Sequence, residues 1–236
     1  MMTVFHDGQG LTFMIQVHHL ENSRSQRALW LLEELGLEYA IIAYRRDSHT
    51  MLAPPELKKV HPLGKSPVIT DGEITVAESG AIIDYLLDSY DTQHQLFPPH
   101  GSAEYRRYRY WLHYAEGSAM PPLVMKLVFS RLDKPPIPAL IRPIGRMLAN
   151  GVKARYLDPQ IRQHADFLER ELSNSPWFAG EHFSAADIQM SFPLQALEAR
   201  GGLGERPNLK DCLARMRERP AYQRAIAKGG KFTLPG

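Results

Sequence analysis

The chain has 236 residues and a single cysteine, Cys212. An internal disulfide is thereby excluded, as is a zinc site built on several cysteines. The ten histidines show no ligand spacing along any helix face, so no metal is expected. No apolar run approaches the roughly 20 residues needed to cross a membrane. Met1 to Phe13 lack a basic segment followed by a long apolar core, which argues against a signal peptide. They read as a loose extension before the first strand. A formal net charge of +2 makes no case for a nucleic-acid partner. The absence of disulfides suits the cytoplasm.

Charge is unevenly distributed along the chain. Residues 1–90 carry 7 Lys and Arg against 12 Asp and Glu, a net of −5. Residues 91–236 carry 21 against 14, a net of +7. A sign change of this kind fits two domains with different surfaces. The pattern of elements changes at the same place. Met14 to His18 reads as a strand, Gln26 to Leu35 as a helix stopped by Gly36, and Glu38 to Tyr44 as a second strand. Ala28, Leu31, Leu32 and Leu35 make one apolar face of that helix. Glu56 to Val60 suits one or two helical turns. Asp91 to Gly101, with Pro98-Pro99, reads as a linker. Beyond it no strand is expected. Helices are expected over Glu104 to Leu132, bent near Pro121-Pro122, over Leu140 to Leu172, and over Asn208 to Arg217 and Ala221 to Lys228. Ser184 and Asp187 have the spacing of a capping box.

The richest stretch is Lys65 to Ser79. It reads as proline, strand, turn, strand, then a Glu-Ser pair opening a helix from Gly80 to Ser89. Asp71-Gly72 is a hairpin signal, since a type I′ turn needs positive φ at both central residues. Ser79 is placed to cap the helix. Free N–H groups and a hydroxyl at a helix start can hold a carboxylate, and Glu78 can hold an ammonium. Those two charges are the head of an amino acid or peptide. Simple capping is the alternative for both residues.

The order βαβ, loop, ββα, then helices alone, resembles the glutathione S-transferase family over Met14 to Phe232. The motifs are Ser23-x-x-x-Arg27, Ser66-Pro67, Glu78-Ser79-x-Ala81-Ile82 and Ser184-x-x-Asp187, in that order. The run Ala53 to Pro67 resembles a fungal and bacterial branch. The resemblance implies an α/β plus all-α chain. A thioredoxin-like glutathione-binding domain would cover 14–90, a linker 91–101 and an all-helical domain 102–232. It implies a cytoplasmic homodimer that binds glutathione and a small electrophile. Family dimers pack unlike domains together, so the acidic and basic halves are expected to meet across a two-fold axis.

Where a glutaredoxin would have a cysteine, this chain has Asn22, Ser23, Arg24 and Ser25. A reacting thiol must therefore come from the ligand. By resemblance, Ser23 is the serine whose hydroxyl donates to the glutathione sulfur; only the thiolate is a good nucleophile. Ser23-x-x-Gln26 also fits a capping box, which is the local reading. Asn22 is a second candidate donor, and Ser25 supports the helix start. No tyrosine precedes Tyr39, which disfavours the tyrosine-type version of the family. Ser66 matches the residue before a cis-proline whose backbone pairs with the cysteinyl part of glutathione, though an apolar residue is usual there. Lys65 would reach the glycine carboxylate, as could His49 or its neighbours; a solvated lysine is the alternative. Glu78 and Ser79 match the γ-glutamyl clamp. Arg27 and Asp187 read as structural. Tyr105, Tyr108, Tyr110, Trp111, Tyr114, Met120 and Met125 mix core and pocket. Alternative readings are glutathione-dependent reduction of peroxides or disulfides, and a non-catalytic glutathione- or hydrophobe-binding scaffold.

Overall fold

The computed structural model describes residues 4–6, 11–48 and 50–230. Strands β1 (Val4–His6) and β2 (Leu11–Phe13) pair antiparallel, so these residues are not the loose extension expected. The short apolar-containing runs on either side of Asp7-Gly8-Gln9-Gly10 carried that hairpin signal.

The next elements are β3 (Ile15–Leu20), α1 (Gln26–Glu34), β4 (Tyr39–Tyr44), a 3₁₀ turn (Pro55–Lys59), β5 (Val68–Asp71), β6 (Ile74–Ala77) and α2 (Ser79–Tyr90). The sheet has the order β4-β3-β5-β6, with β3 and β4 parallel and the other neighbours antiparallel. Val17, Leu20, Val68 and Ile69 of the sheet are buried, as are Leu29, Leu31 and Leu32 of α1 and Ile82, Ile83 and Leu86 of α2. This is the thioredoxin-like arrangement, with a crossover helix forced by the parallel pair.

Two local details differ from expectation. Asp71 pairs with Ile74, so the hairpin turn is Gly72-Glu73, and of these only Gly72 has positive φ (57°). The turn is therefore not type I′. Helix α2 starts at Ser79 with Glu78 as its N-cap, and Ser79 makes no capping bond. The end of α1 follows the Schellman pattern: Gly36 lies at φ 66°, and the Leu37 N–H donates to Leu32 O at 3.0 Å.

Beyond the linker come α3 (Ala103–Tyr114), α4 (Met120–Phe129), α5 (Arg142–Val152), α6 (Asp158–Leu172), α7 (Ala185–Glu198), α8 (Pro207–Glu218) and α9 (Pro220–Gly229). A π-helical turn, Ala115–Ala119, joins α3 to α4, and another, Lys153–Leu157, joins α5 to α6. The irregularity lies one turn before Pro121-Pro122. Prolines offer no N–H to the carbonyls of the preceding turn, which is free to widen. Pro159 follows the second π turn in the same way.

Two compact units result. One comprises residues up to Pro99 together with those from Arg215; the other is His100–Ala214. In the second unit α7 is buried from Ala185 to Leu197. Its start is held by Asp187, whose carboxylate accepts the N–H groups of Phe178 and Ser184, each at 2.8 Å. Burial pushes the Asp187 carboxyl up to about 6 against the pull of those donors.

Candidate active site

In the first unit, strand register places the candidate residues. Leu20 ends β3, and the β3–β5 register extended by two residues sets Ser66 opposite it. The β5–β6 register extended likewise sets Ser66 opposite Ser79 and Pro67 opposite Glu78. The segments 21–25, 65–67 and 78–80 therefore leave the sheet at the same end. The loop after β4 leaves there too, because Leu20 pairs with Tyr44.

Ser66-Pro67 is a cis peptide bond. The Ser66 hydroxyl donates to His18 O at 2.8 Å and accepts the Leu20 N–H at 3.3 Å. A side chain thus continues the β3–β5 ladder where the main chain of Ser66 has left it. An apolar side chain at this position could do neither.

Glu78 lies at φ 74° and ψ 128°, a region that costs a non-glycine residue on the order of 1–3 kcal/mol. Its side chain is exposed, as is that of Lys65. Ser79 is buried, and its hydroxyl has no hydrogen-bond partner among the described residues. That hydroxyl lies in the first turn of α2, beside N–H groups that the helix itself cannot satisfy. A buried orphan oxygen next to a strained carboxylate-bearing residue is unexpected in a purely structural cap.

At the start of α1 the expected capping box is absent. Ser25 is the N-cap and its side chain makes no capping bond. The Ser25 N–H instead donates to Ser23 Oγ at 3.2 Å. Three side chains then form a line: Ser23 Oγ to Ser25 Oγ, 2.8 Å; Ser25 Oγ to His19 Nδ1, 2.8 Å; His19 Nε2 to Gly229 O, 2.9 Å. A carbonyl can only accept, so Nε2 carries the imidazole proton and Nδ1 offers a lone pair. Burial lowers the His19 pKa, with a smaller opposing pull from the Gly229 carbonyl. Ser25 is wholly buried, whereas Ser23 keeps 6% of its surface exposed at the outer end of the line. Asn22 has φ 51°, and its carbonyl accepts from Arg46 Nη2 at 3.3 Å. Arg46 also donates to Glu21 O and Met51 O, so it ties the loop after β4 to the segment before Ser23. His49, in that loop, lies outside the described residues. Arg27 is buried at 2% exposure.

Sequence reasoning did not single out His19, Ser25 or Arg46 for the site. The pair Ser23-x-Ser25 with a histidine shortly upstream was visible. Nothing in the pattern said that the imidazole would turn back toward the helix start.

The chain matches the models of the glutathione S-transferase N-terminal domain over residues 14–88 and C-terminal domain over 122–220. It is 38% identical to glutathione S-transferase 3 of Schizosaccharomyces pombe over 94% of this chain and 90% of that protein. The chain belongs to the glutathione S-transferase family. It is also 39% identical to glutathione S-transferase 1 of Saccharomyces cerevisiae, over 77% of this chain and 80% of the relative. A solved glutathione S-transferase from Actinobacillus pleuropneumoniae aligns with a TM-score of 0.75 and 35% identity, covering 92% of this chain and 93% of that one.

The helical unit of this transferase carries an open groove of ≈ 410 Å³, lined by Ala103, Arg106, Arg107, Tyr110, Trp111, Phe167 and Glu171. Tyr108, Trp111, Tyr114 and Met120 are core residues, whereas Tyr110 and Met125 are exposed. Among the described residues no group of three or more His, Cys, Asp and Glu is placed to hold a metal ion. No described helix is long and apolar enough to cross a membrane.

Proposed function

We propose that this transferase is of the serine type and holds glutathione at the common end of β3, β5 and β6. The observation that carries this is the buried, partnerless Ser79 hydroxyl beside Glu78 at φ 74°. The Ser79 hydroxyl and the first N–H groups of α2 receive the γ-glutamyl carboxylate, and the Glu78 carboxylate receives the ammonium. The backbone of Ser66 pairs with the cysteinyl amide, and Lys65 faces the glycine carboxylate, with His49 as a further contact from the loop. That geometry brings the thiol to Ser23, with Asn22 as the neighbouring donor. The Ser23 hydroxyl and the positive end of α1 favour the thiolate, which then attacks a small electrophile. The protein acts as a cytoplasmic homodimer without a metal.

Calorimetric titration of glutathione tests the binding half. Binding in the micromolar to millimolar range is expected, and Glu78→Ala should abolish it or weaken it on the order of 100-fold, as expected for loss of a charge-assisted bond. Ser23→Ala tests the chemistry. It should raise the pKa of the bound thiol and lower kcat on the order of 100-fold. Unchanged thiol titration together with unchanged turnover would remove Ser23 from the role. A panel of electrophiles, peroxides and disulfides then defines the acceptor.

A further inference from the structure

The line Ser23, Ser25, His19 has a direction. With the Nε2 proton fixed on Gly229 O, the Nδ1 lone pair must accept, so the Ser25 hydroxyl donates to it. Ser25 has one hydroxyl proton, and the 2.8 Å contact to Nδ1 is shorter than its 3.3 Å contact to Leu20 O. Ser25 Oγ therefore accepts from Ser23, whose own proton points inward along the line. Ser23 Oγ also accepts the Ser25 N–H, and one lone pair remains on its outer side. In this resting state Ser23 is an acceptor toward any ligand. A serine arranged in that way cannot donate to a thiolate.

We propose that Ser25 and His19 form a relay that takes the thiol proton of bound glutathione and, in doing so, turns Ser23 into a donor. This rests on the reading of Ser23 as the group that meets the thiol. The S–H bond breaks and its proton goes to Ser23 Oγ. The former Ser23 proton passes to Ser25 Oγ, and the former Ser25 proton passes to His19 Nδ1. The products are a thiolate and an imidazolium, and total charge is unchanged. The hydrogen bonds from His19 Nδ1 outward to the sulfur are then reversed. His19 donates to Ser25, Ser25 donates to Ser23, and Ser23 donates to the sulfur anion. The Gly229 carbonyl accepts from Nε2 in both states, so the ring need not move. When the thiolate displaces a leaving anion, the imidazolium proton goes to solvent and the ring is reset. His19 and Ser25 are positioning residues, because neither touches the sulfur.

The ring rests neutral because burial disfavours its charged form, so the imidazolium forms only together with the thiolate, whose negative charge offsets that cost. The ring is 6% exposed, and the Gln26 amide and Leu29 border it near Gly229. The helices beside it carry Glu33, Glu34, Arg219, Arg224 and Lys228. Glu33 is paired with Arg224 and Lys228, and Glu34 with Arg219. Tyr44, on β4, is bonded to His18, on the neighbouring β3 position.

Two substitutions isolate the relay. Ser25→Ala cuts the line but leaves Ser23 and His19. His19→Gln keeps an N–H for Gly229 O and removes the base. S-methylglutathione, which has no thiol, should bind both variants as it binds the wild type, showing that the fold and the clamp are intact. The decisive readout is proton release in weak buffer when glutathione is added, set against thiolate formed by ultraviolet absorbance. The wild type should form thiolate while releasing far less than one proton per thiolate, because His19 keeps it. Both variants should release one proton for each thiolate they form, form less of it near neutral pH, and lose on the order of 100-fold in kcat/KM there. Ser25→Thr should restore wild-type behaviour. A wild type that releases a full proton per thiolate overturns the relay, as does Ser25→Ala with an unchanged thiol titration. If instead Ser23→Ala leaves the thiolate intact, the placement of the thiol at Ser23 has failed, and with it the ground of the relay.

Discussion

Ser66 shows how one hydroxyl closes a strand edge that the main chain leaves open. The chain leaves the β3–β5 ladder at the cis Ser66-Pro67 bond, yet β3 still has an N–H and a carbonyl at that edge to satisfy. The side chain supplies both partners, to Leu20 and His18. Ser66→Val, which restores the usual apolar residue, should cost about 1–3 kcal/mol, the cost of stranding buried polar groups. It should also weaken glutathione binding, whereas Ser66→Thr should do neither. Denaturant midpoints and calorimetry check this; a Ser66→Val protein with wild-type values in both would show the two bonds to be idle. At this scale the candidate residues were legible as motifs. What each side chain does was not. Ser79 looked like a cap and is an orphan, and Ser66 looked like a tolerated oddity and is a bridge. A motif gives residue and spacing, while the partner of a hydroxyl depends on a strand 46 residues away.

Helix α1 was expected to have one apolar face. In the structure Gln26 to Glu33 are all buried, because α9 packs against the helix as well as α2 and β3. The hint was there, since Leu29 and Trp30 lie off the face made by Ala28, Leu31 and Leu32, and a helix apolar all round is a buried one. The covering element was not legible, for nothing local links residues nearly 200 positions apart. Its fastening is polar at the rim and tight at the centre. Arg224 and Lys228 reach the Glu33 carboxylate at 2.7 and 2.5 Å, Tyr39 donates to it at 2.7 Å, and Trp30 meets Tyr222 edge-on at 5.0 Å. Gly229 ends α9 so close to α1 that a Cβ there would lie 2.3 Å from Leu29 Cδ1. Gly229→Ala should therefore cost about 1–3 kcal/mol, the price of overpacking, despite the better helix propensity of alanine. It should also lower kcat, because the His19 acceptor moves with it. Glu33 adds a pH signature. Burial raises its pKa, but Lys228, Tyr39 and Arg224 outweigh that and bring it from 4.5 down to about 2. A depressed carboxyl stabilises fully above its unfolded value, and that contribution is lost as pH falls toward the folded value. The stability gap between wild type and Glu33→Gln should hold above about pH 4.5 and close toward pH 2. A gap that is constant across that range would mean the pairing contributes nothing.

The whole molecule changes the meaning of its charge pattern. Along the chain the first 90 residues are acidic and the remainder basic, which made a dimer of opposed halves attractive. In space, Arg215, Arg217, Arg219, Arg224 and Lys228 belong with the first unit. Counted that way over the described residues, the first unit has 12 basic and 13 acidic residues, a net of −1, and the second has 15 and 12, a net of +3. The contrast of −5 against +7 shrinks because α9 returns to neutralise the acidic part of its own unit, through Arg219 on Glu34 and Arg224 and Lys228 on Glu33. A change from strands and helices to helices alone after residue 91 was legible from composition and proline. The return of the last helix was not, since chain order says nothing about which core a terminal helix completes. The consequence concerns assembly. A homodimer held by opposed halves would dissociate as salt screens its charges. With those charges already paired within one unit, a homodimer would rest on apolar burial, which salt does not weaken. Sedimentation velocity at micromolar protein should therefore show the same dimer fraction in low and high salt. Dissociation at high salt would mean that unlike charges do meet between copies, and monomer in both conditions would remove the dimer altogether.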